Sequence, residues 1–271
     1  MGEIAPANRG NALFRTIVFA LLAAFLALTP ARAIDEPQMT RIPTMSVREL
    51  DAFINSVGVA VNQDTLKLRA FAQSGACLEL VRAANSFALA YTALASVRDA
   101  AVKRDEKEAP IIRARAVQTR VTTFAARVRA EEYLAQRCRS FVVPAENADD
   151  PRYATPVKVP NADYTDAVID ARQTAETNLA IAVAAGLSGK CPEAIVAGQN
   201  IALLLPYIQK LLADTEKRPE VLGPRASRRG LEVSRRQLVA ALEKLQAEFG
   251  EKCRAPTSEP SGATTDPKQP E

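Results

Sequence analysis

The chain has no histidine and no tryptophan among its 271 residues. Without histidine, Ser-His-Asp and Cys-His catalytic arrangements, c-type haem attachment and most catalytic zinc sites are excluded. The sequence also contains no Walker-type phosphate-binding loop and no glycine fingerprint of a dinucleotide-binding fold. We therefore expect no cofactor, no metal ion and no enzymatic activity. A hydrolase that uses two carboxylates is the remaining catalytic alternative.

Aromatic residues are also scarce, at 5% of the chain, and few stretches alternate apolar and polar residues with a period of two. Strands of a half-buried sheet need that alternation, whereas abundant alanine suits closely packed helices. The composition therefore predicts an all-α fold.

Two short motifs indicate an internal duplication. Ser-Gly-Ala-Cys-Leu-Glu begins at Ser74 and Ser-Gly-Lys-Cys-Pro-Glu begins at Ser188, an offset of 114 residues. The other two cysteines, Cys138 and Cys253, also share a context, since a basic residue precedes each and an arginine follows. We predict two duplicated three-helix antiparallel bundles, six long helices in total, with one disulfide in each unit.

Helix start and stop signals set the predicted boundaries. Ser46 followed by Glu49 fits a capping box, and Gly75 fits the end of the same helix. Gly189 and Pro192 repeat this corner in the second copy. The predicted order is a signal peptide at 1–33, an extended tether at 34–45, unit 1 at 46–143, a proline-rich linker at 144–160, unit 2 at 161–254 and a disordered tail at 255–271.

The first 33 residues have the pattern of an export signal. Arg9 and Arg15 precede an apolar run from Thr16 to Leu28, and Ala31-Arg32-Ala33 fits a signal peptidase site. The run is short for a membrane span, so an uncleaved anchor is the weaker alternative. We expect a periplasmic protein, or alternatively an extracellular one. It would not span the membrane after cleavage, and it would meet no nucleic acid.

The four cysteines are expected to form structural disulfides, since exported proteins in an oxidising space normally close them. Antiparallel helices of similar length place the start of one beside the end of the next. This geometry pairs Cys77 with Cys138 and Cys191 with Cys253. No Cys-x-x-Cys occurs and the spacing fits no zinc or iron–sulfur site, which argues against the alternative of a redox or metal role.

Polar residues inside apolar sequence are candidates for a small pocket. Asn85 with Ser86, and Gln199 with Asn200, occupy equal positions in the two copies. Pro206 follows the second pair and is expected to kink its helix, which would open a cleft. The alternative is that these side chains bond a neighbouring helix or face water.

Acidic residues allow two further interpretations. Glu131 falls in the apolar seam of the third helix where the second copy has Leu245, so it is either a buried acid or a residue at the solvated edge of the seam. Asp163, Asp166 and Asp170 recur at the start of the fourth helix, where they are expected to complement the helix dipole.

Arginine is concentrated on the third and sixth predicted helices. The candidates for anion binding are Arg113, Arg120, Arg127, Arg225, Arg228, Arg229 and Arg236. The group from Arg225 onward crowds a helix start, where the dipole disfavours cations, and guanidinium groups suit phosphate or carboxylate. A solvated arginine-rich face is the alternative interpretation.

The leading functional hypothesis is a non-enzymatic binding or scaffold protein of the cell envelope that contacts an anionic component or protein partner through its arginines. The alternative is a periplasmic carrier of a small apolar ligand held between helices, oriented by Gln199 and Asn200. The packing of the two units and the oligomeric state are left open.

Overall fold

The computed structural model describes residues 36–156 and 158–253, and the described residues form helices and turns without a strand. The chain divides into two compact units, one ending at Lys158 and the other beginning at Val159, each with one disulfide. The predicted signal peptide and tail lie outside the described residues. The helices are α1 (Glu36–Arg41), α2 (Val47–Ser74), α3 (Cys77–Val102), α4 (Ala109–Arg137), α5 (Asn161–Ser188), α6 (Cys191–Lys217) and α7 (Arg228–Phe249).

The start and the end of α2 follow from its terminal residues. The Ser46 hydroxyl accepts a hydrogen bond from the Glu49 amide at 3.3 Å, and the Glu49 carboxylate accepts one from the Ser46 amide at 2.7 Å. Hydrogen bonds from the Ser46 hydroxyl and then its amide lower the pKa of Glu49. At the other end, Gly75 takes the left-handed conformation with φ 72°, which glycine adopts without strain. The predicted boundaries of α2 are thus correct to within one residue.

The core of unit 1 is built mostly from aliphatic side chains. α2 buries one face at intervals of three or four residues, and α3 is buried on most sides because α2 and α4 both pack against it. Phe124 lies 5.6 Å from Tyr91, ring centre to ring centre. The largest fully buried side chains of the unit are Phe87, Phe124, Ile42, Leu50, Ile54, Leu68, Leu80 and Leu94.

The segment before α2 differs from the prediction of an extended tether at 34–45. Its described part is helical in α1 and continues as a 3-10 turn at Ile42–Thr44. Ile42 is fully buried and belongs to the core of unit 1, and the Arg104 guanidinium donates to the carbonyl of Met45. Burial of the Ile42 side chain removes apolar surface from water and so holds this segment on the core. The spacing of residues and the proline content do not show which side chain will be buried.

Unit 2 repeats the same construction. Gly189 ends α5 with φ 66°, Pro192 lies in the first turn of α6, and the Ser227 hydroxyl accepts from the Gly230 amide at 3.0 Å to cap α7. Pro206 lies on the exposed side of α6 and does not end the helix. The Thr165 hydroxyl accepts from the Gly223 amide at 2.8 Å, which ties the α6–α7 connection to α5.

The disulfide pairing is confirmed. Cys77 is bonded to Cys138 and Cys191 to Cys253, with Cα atoms 5.8 and 5.4 Å apart. Each bond joins the start of the middle helix of a unit to the residues just after its last helix. Each bond therefore lies within one unit, as the duplication requires.

The segment predicted as a linker is attached to unit 1. It forms two 3-10 turns, Ala145–Asn147 and Pro151–Tyr153. Asn85 of α3 donates from Nδ2 to the carbonyl oxygens of Arg152 and Ala154, at 3.1 and 2.7 Å. The amide of Asn85, a predicted pocket residue, thus holds this segment on α3.

Candidate functional site

The arginines predicted to bind anions fall into two groups. Arg113, Arg225, Arg229 and Arg236 are exposed, on helices or turns of different units. Arg228 is partly buried, and its guanidinium contacts the carboxylates of Glu216 at 3.2 Å and Glu232 at 2.6 Å. The structure therefore does not bring the seven arginines together on one face.

Arg120 and Arg127 are buried, which corrects their assignment to an anion-binding surface. Arg120 is 2% exposed, its guanidinium lies 4.1 Å from the centre of the Tyr91 ring, and its Nε donates to the Tyr91 carbonyl at 3.3 Å. Arg127 is 7% exposed and pairs with Glu131 at 3.3 Å. Positions 120, 124 and 127 follow the helical spacing of the α4 seam, so both stems pack inside. A buried cation–π contact of this kind contributes about 2 kcal/mol.

The remaining candidates do not form one pocket. The Glu131 side chain is 19% exposed and forms an ion pair. This agrees with the interpretation that Glu131 lies at the solvated edge of the α4 seam. Gln199 is exposed and Asn200 is half-buried on α6. Asp170 is 1% exposed and follows the first two turns of α5, so it belongs to the core and not to the helix start where it was expected to complement the dipole.

The site that the structure adds is a groove in unit 2, between the C-terminal half of α5 and the C-terminal half of α7. Its volume is about 310 Å³, near the lower limit for ligand pockets. We call it the α5–α7 groove. The residues that line it are Ala182, Val183, Gly186, Leu187, Ala241, Lys244, Leu245 and Glu248.

The duplication explains the floor of the groove, because unit 1 has larger side chains at the same positions. With the offset of 114, the fully buried Leu68 corresponds to Ala182. Arg127, buried and paired with Glu131, corresponds to Ala241. Both of these unit 1 side chains are buried. In unit 2 alanine stands at both positions and has no atoms beyond Cβ, and a groove lies there between α5 and α7.

The mouth of the groove differs between the units in polarity. Val183 and Leu187 line the groove and are 63% and 84% exposed. Four exposed aliphatic side chains of α5 and α6 replace polar or charged ones at equal positions. They are Ile181, Val183, Leu187 and Val196 in unit 2, against Lys67, Arg69, Gln73 and Arg82 in unit 1. Of these four, Val183 and Leu187 line the groove, so its mouth is apolar where unit 1 has Arg69 and Gln73. Exposed apolar patches mark interaction sites.

The exchange of Arg82 for Val196 accompanies a second exchange, at a buried position. Asp64 of α2 is 4% exposed, and its carboxylate lies 4.0 Å from the Arg82 guanidinium. Burial raises the pKa of Asp64, and Arg82 and Lys67 oppose the shift. In unit 2 the same two positions hold Asn178 and Val196. The buried acid and its cation are therefore absent together, because either alone would be an unpaired charge.

Two middle helices, α3 and α6, are long and apolar enough to cross a membrane by length and composition. The core helix of a helical bundle meets the same criterion. The most apolar window of α6 is 33% buried, against 56% for α3. Unit 2 thus leaves more of its middle helix exposed.

The groove offers mainly apolar contact, with one carboxylate beside it, since Glu248 Oε2 lies 3.8 Å from where a Cβ on Gly186 would stand. At its rim, Lys244 and Glu248 lie one turn apart on α7 with charged atoms 3.8 Å apart, so the rim is close to neutral. Within residues 36–156 and 158–253, no group of three or more Cys, Asp or Glu side chains is placed to hold a metal ion.

No protein family, curated protein or solved structure matches the chain. The sequence signal for the groove is the change in side-chain size and polarity between equal positions of the two copies, such as Leu68 to Ala182 and Gln73 to Leu187. The sequence prediction did not include it.

Proposed function

We propose that this chain is a non-enzymatic docking protein of an exported, oxidising compartment, and that the α5–α7 groove of unit 2 receives an apolar surface of a protein partner. Unit 1 has the same three-helix arrangement, with larger side chains at the positions that form the floor of the groove in unit 2. The observation that supports this role is a set of differences at equal positions of the two units. The groove is lined by Ala182, Val183, Leu187 and Ala241, where unit 1 has the larger or more polar Leu68, Arg69, Gln73 and Arg127.

A protein surface fits the groove better than a small molecule does. Small-molecule pockets enclose 70–90% of the ligand surface. Here Val183 and Leu187 stand at the mouth with most of their surface in water, so much of the apolar area lies outside the hollow. A partner must cover this outer area as well, and helices and loops of proteins do so.

Export is the second part of the proposal. The pattern of residues 1–33 predicts a cleaved signal, and both disulfides need an oxidising space to persist. We place the protein in the periplasm, with secretion to the outside as the alternative.

The exposed arginines support a second candidate function. Arg225, Arg229 and Arg236 remain exposed around the start of α7, after Arg120 and Arg127 are assigned to the core. These three side chains would bind an anionic envelope component weakly and in a salt-dependent manner. Binding to anionic vesicles that does not change in R225Q/R229Q/R236Q would remove this candidate.

Site-specific crosslinking tests the docking role. A diazirine amino acid replaces Leu187 in the full chain, and cells that export the protein are irradiated before the crosslinked peptides are mapped. We expect one defined protein crosslinked through one peptide region. The matched control carries the same amino acid in place of Leu66, which is 75% exposed on the corresponding helix of unit 1.

The variant Ala182→Leu restores the unit 1 residue at the floor and keeps the mouth apolar. It should abolish the crosslink if the groove itself is occupied. Equal crosslinking at positions 187 and 66, or crosslinking that A182L leaves unchanged, would refute the docking role. Adducts of a single small molecule at position 187 would favour the carrier alternative instead.

A further inference from the structure

The α5–α7 groove has projecting apolar side chains next to a hollow that could receive such side chains. Val183 and Leu187 project from α5, and the neighbouring positions Ala182 and Gly186 have almost no side chain and form the hollow. A projection beside a hollow becomes complementary to itself when a second copy is turned by a two-fold rotation. Dimers with this symmetry are the most common oligomers of soluble proteins.

The rim charges match the same rotation. Lys244 and Glu248 are separated by one turn of α7, and their side chains are 75% and 45% exposed. When two α7 helices meet antiparallel, Lys244 of each copy comes opposite Glu248 of the other. The near-neutral rim gives no preference for a strongly anionic or cationic partner.

Accepting the proposed docking role of the groove, we infer that its partner is a second copy of this chain. Leu187 of each copy enters the groove of the other, and the two Lys244–Glu248 pairs flank the contact. The chain forms a two-fold dimer through unit 2.

The duplication limits this assembly to a dimer. Unit 1 presents Arg69 and Gln73 where unit 2 presents Val183 and Leu187, and Leu68 fills the floor. Among the described residues, each chain therefore carries one surface of this kind. A two-fold contact through a single surface closes after two copies, whereas two such surfaces would link chains into an open array.

Sedimentation velocity and native mass spectrometry of the purified full chain test the inference over a range of concentrations. We expect a monomer–dimer equilibrium in the wild type. Leu187→Lys should raise the dissociation constant about 100-fold or more, because both copies lose a buried leucine in the symmetric contact. Leu66→Lys is the control and should leave the equilibrium unchanged. Circular dichroism checks that both variants remain folded.

Charge exchange at the rim gives a second readout that misfolding cannot imitate. Lys244→Glu and Glu248→Lys each place like charges opposite each other in the dimer, so each variant alone should dimerise about tenfold more weakly. An equal mixture of the two should form heterodimers with wild-type affinity, because opposite charges then meet again.

A wild-type chain that stays monomeric at all concentrations, an L187K dimer of wild-type affinity, or a mixture no tighter than its components would overturn the dimer. A monomeric chain that still crosslinks through position 187 to a different protein would refute the second copy and retain the docking role. A monomeric chain without that crosslink would refute both.

Discussion

Asp64 and Asn178 occupy equal positions in the two units, and they differ in that Asp64 has a carboxylate where Asn178 has a carboxamide. Asp64 has an oxygen without a hydrogen-bond partner among the described residues, and so does Asn178. Both side chains are almost completely buried. Asp64 therefore carries a cost of burial that a neutral side chain of the same shape avoids.

The pH dependence of stability should reveal this cost. Since burial raises the pKa of Asp64, the folded chain holds the proton more tightly than the unfolded chain does. The resulting contribution to stability is complete below the ordinary value of 3.8 and is lost as the pH rises through the raised pKa. Asp64→Asn has no such titration, so it should be more stable than wild type at neutral pH and should lose that advantage in acid.

Thermal unfolding at a series of pH values measures the effect. The control is Asp105→Asn, an exposed acid of the α3–α4 turn, which should change the free energy of unfolding by less than about 0.5 kcal/mol. An Asp64→Asn variant that is less stable than wild type at pH 7 would show that the contact with Arg82 outweighs burial.

At the scale of helices and segments, equal positions of the two copies have acquired different partners. Asn85 on α3 binds the segment that follows α4 within unit 1, whereas its counterpart Gln199 on α6 is exposed. In unit 1 the amide at this position holds the segment that follows α4 on the middle helix.

Limited proteolysis tests this role of Asn85. Asn85→Ala leaves the carbonyl oxygens of Arg152 and Ala154 without their donor, which costs about 1 kcal/mol of local stability. Trypsin cleavage after Arg152 should become about five times faster, because cleavage follows the population of the opened segment. Gln199→Ala should leave the cleavage pattern unchanged. Faster cleavage at every site in N85A would indicate general unfolding instead.

At the scale of the whole molecule, each disulfide stabilises its own unit. The bonds close loops of 61 and 62 residues, and such loops contribute about 4 kcal/mol each through loop-closure entropy. This contribution is large for units whose cores contain few aromatic residues.

Hydrogen exchange should localise the contribution. The double variant C77S/C138S is expected to lose protection in α3 and α4 by about 2–5 kcal/mol, with α6 and α7 unchanged. C191S/C253S should show the reverse. Loss of protection of similar size in both units of either variant would contradict independent stabilisation.

Local signals in the sequence determined the helices and the disulfide pairing. The glycine stops, the Ser46 cap and the repeated cysteines predicted the helices and the pairing of Cys77 with Cys138 and Cys191 with Cys253. The cap and the stops suffice because they act within one or two turns of backbone, and the duplication supplied the glycines and the cysteines twice.

Only the tertiary structure decided which side chains are buried and where the surface is open. Arg120 and Arg127 were predicted to bind an anion at the surface, yet Arg120 packs against Tyr91 of α3 and Arg127 is buried beside Glu131. The groove depends on the side chains of α5 and α7, which are distant in sequence, so its volume follows from their packing and not from either helix alone.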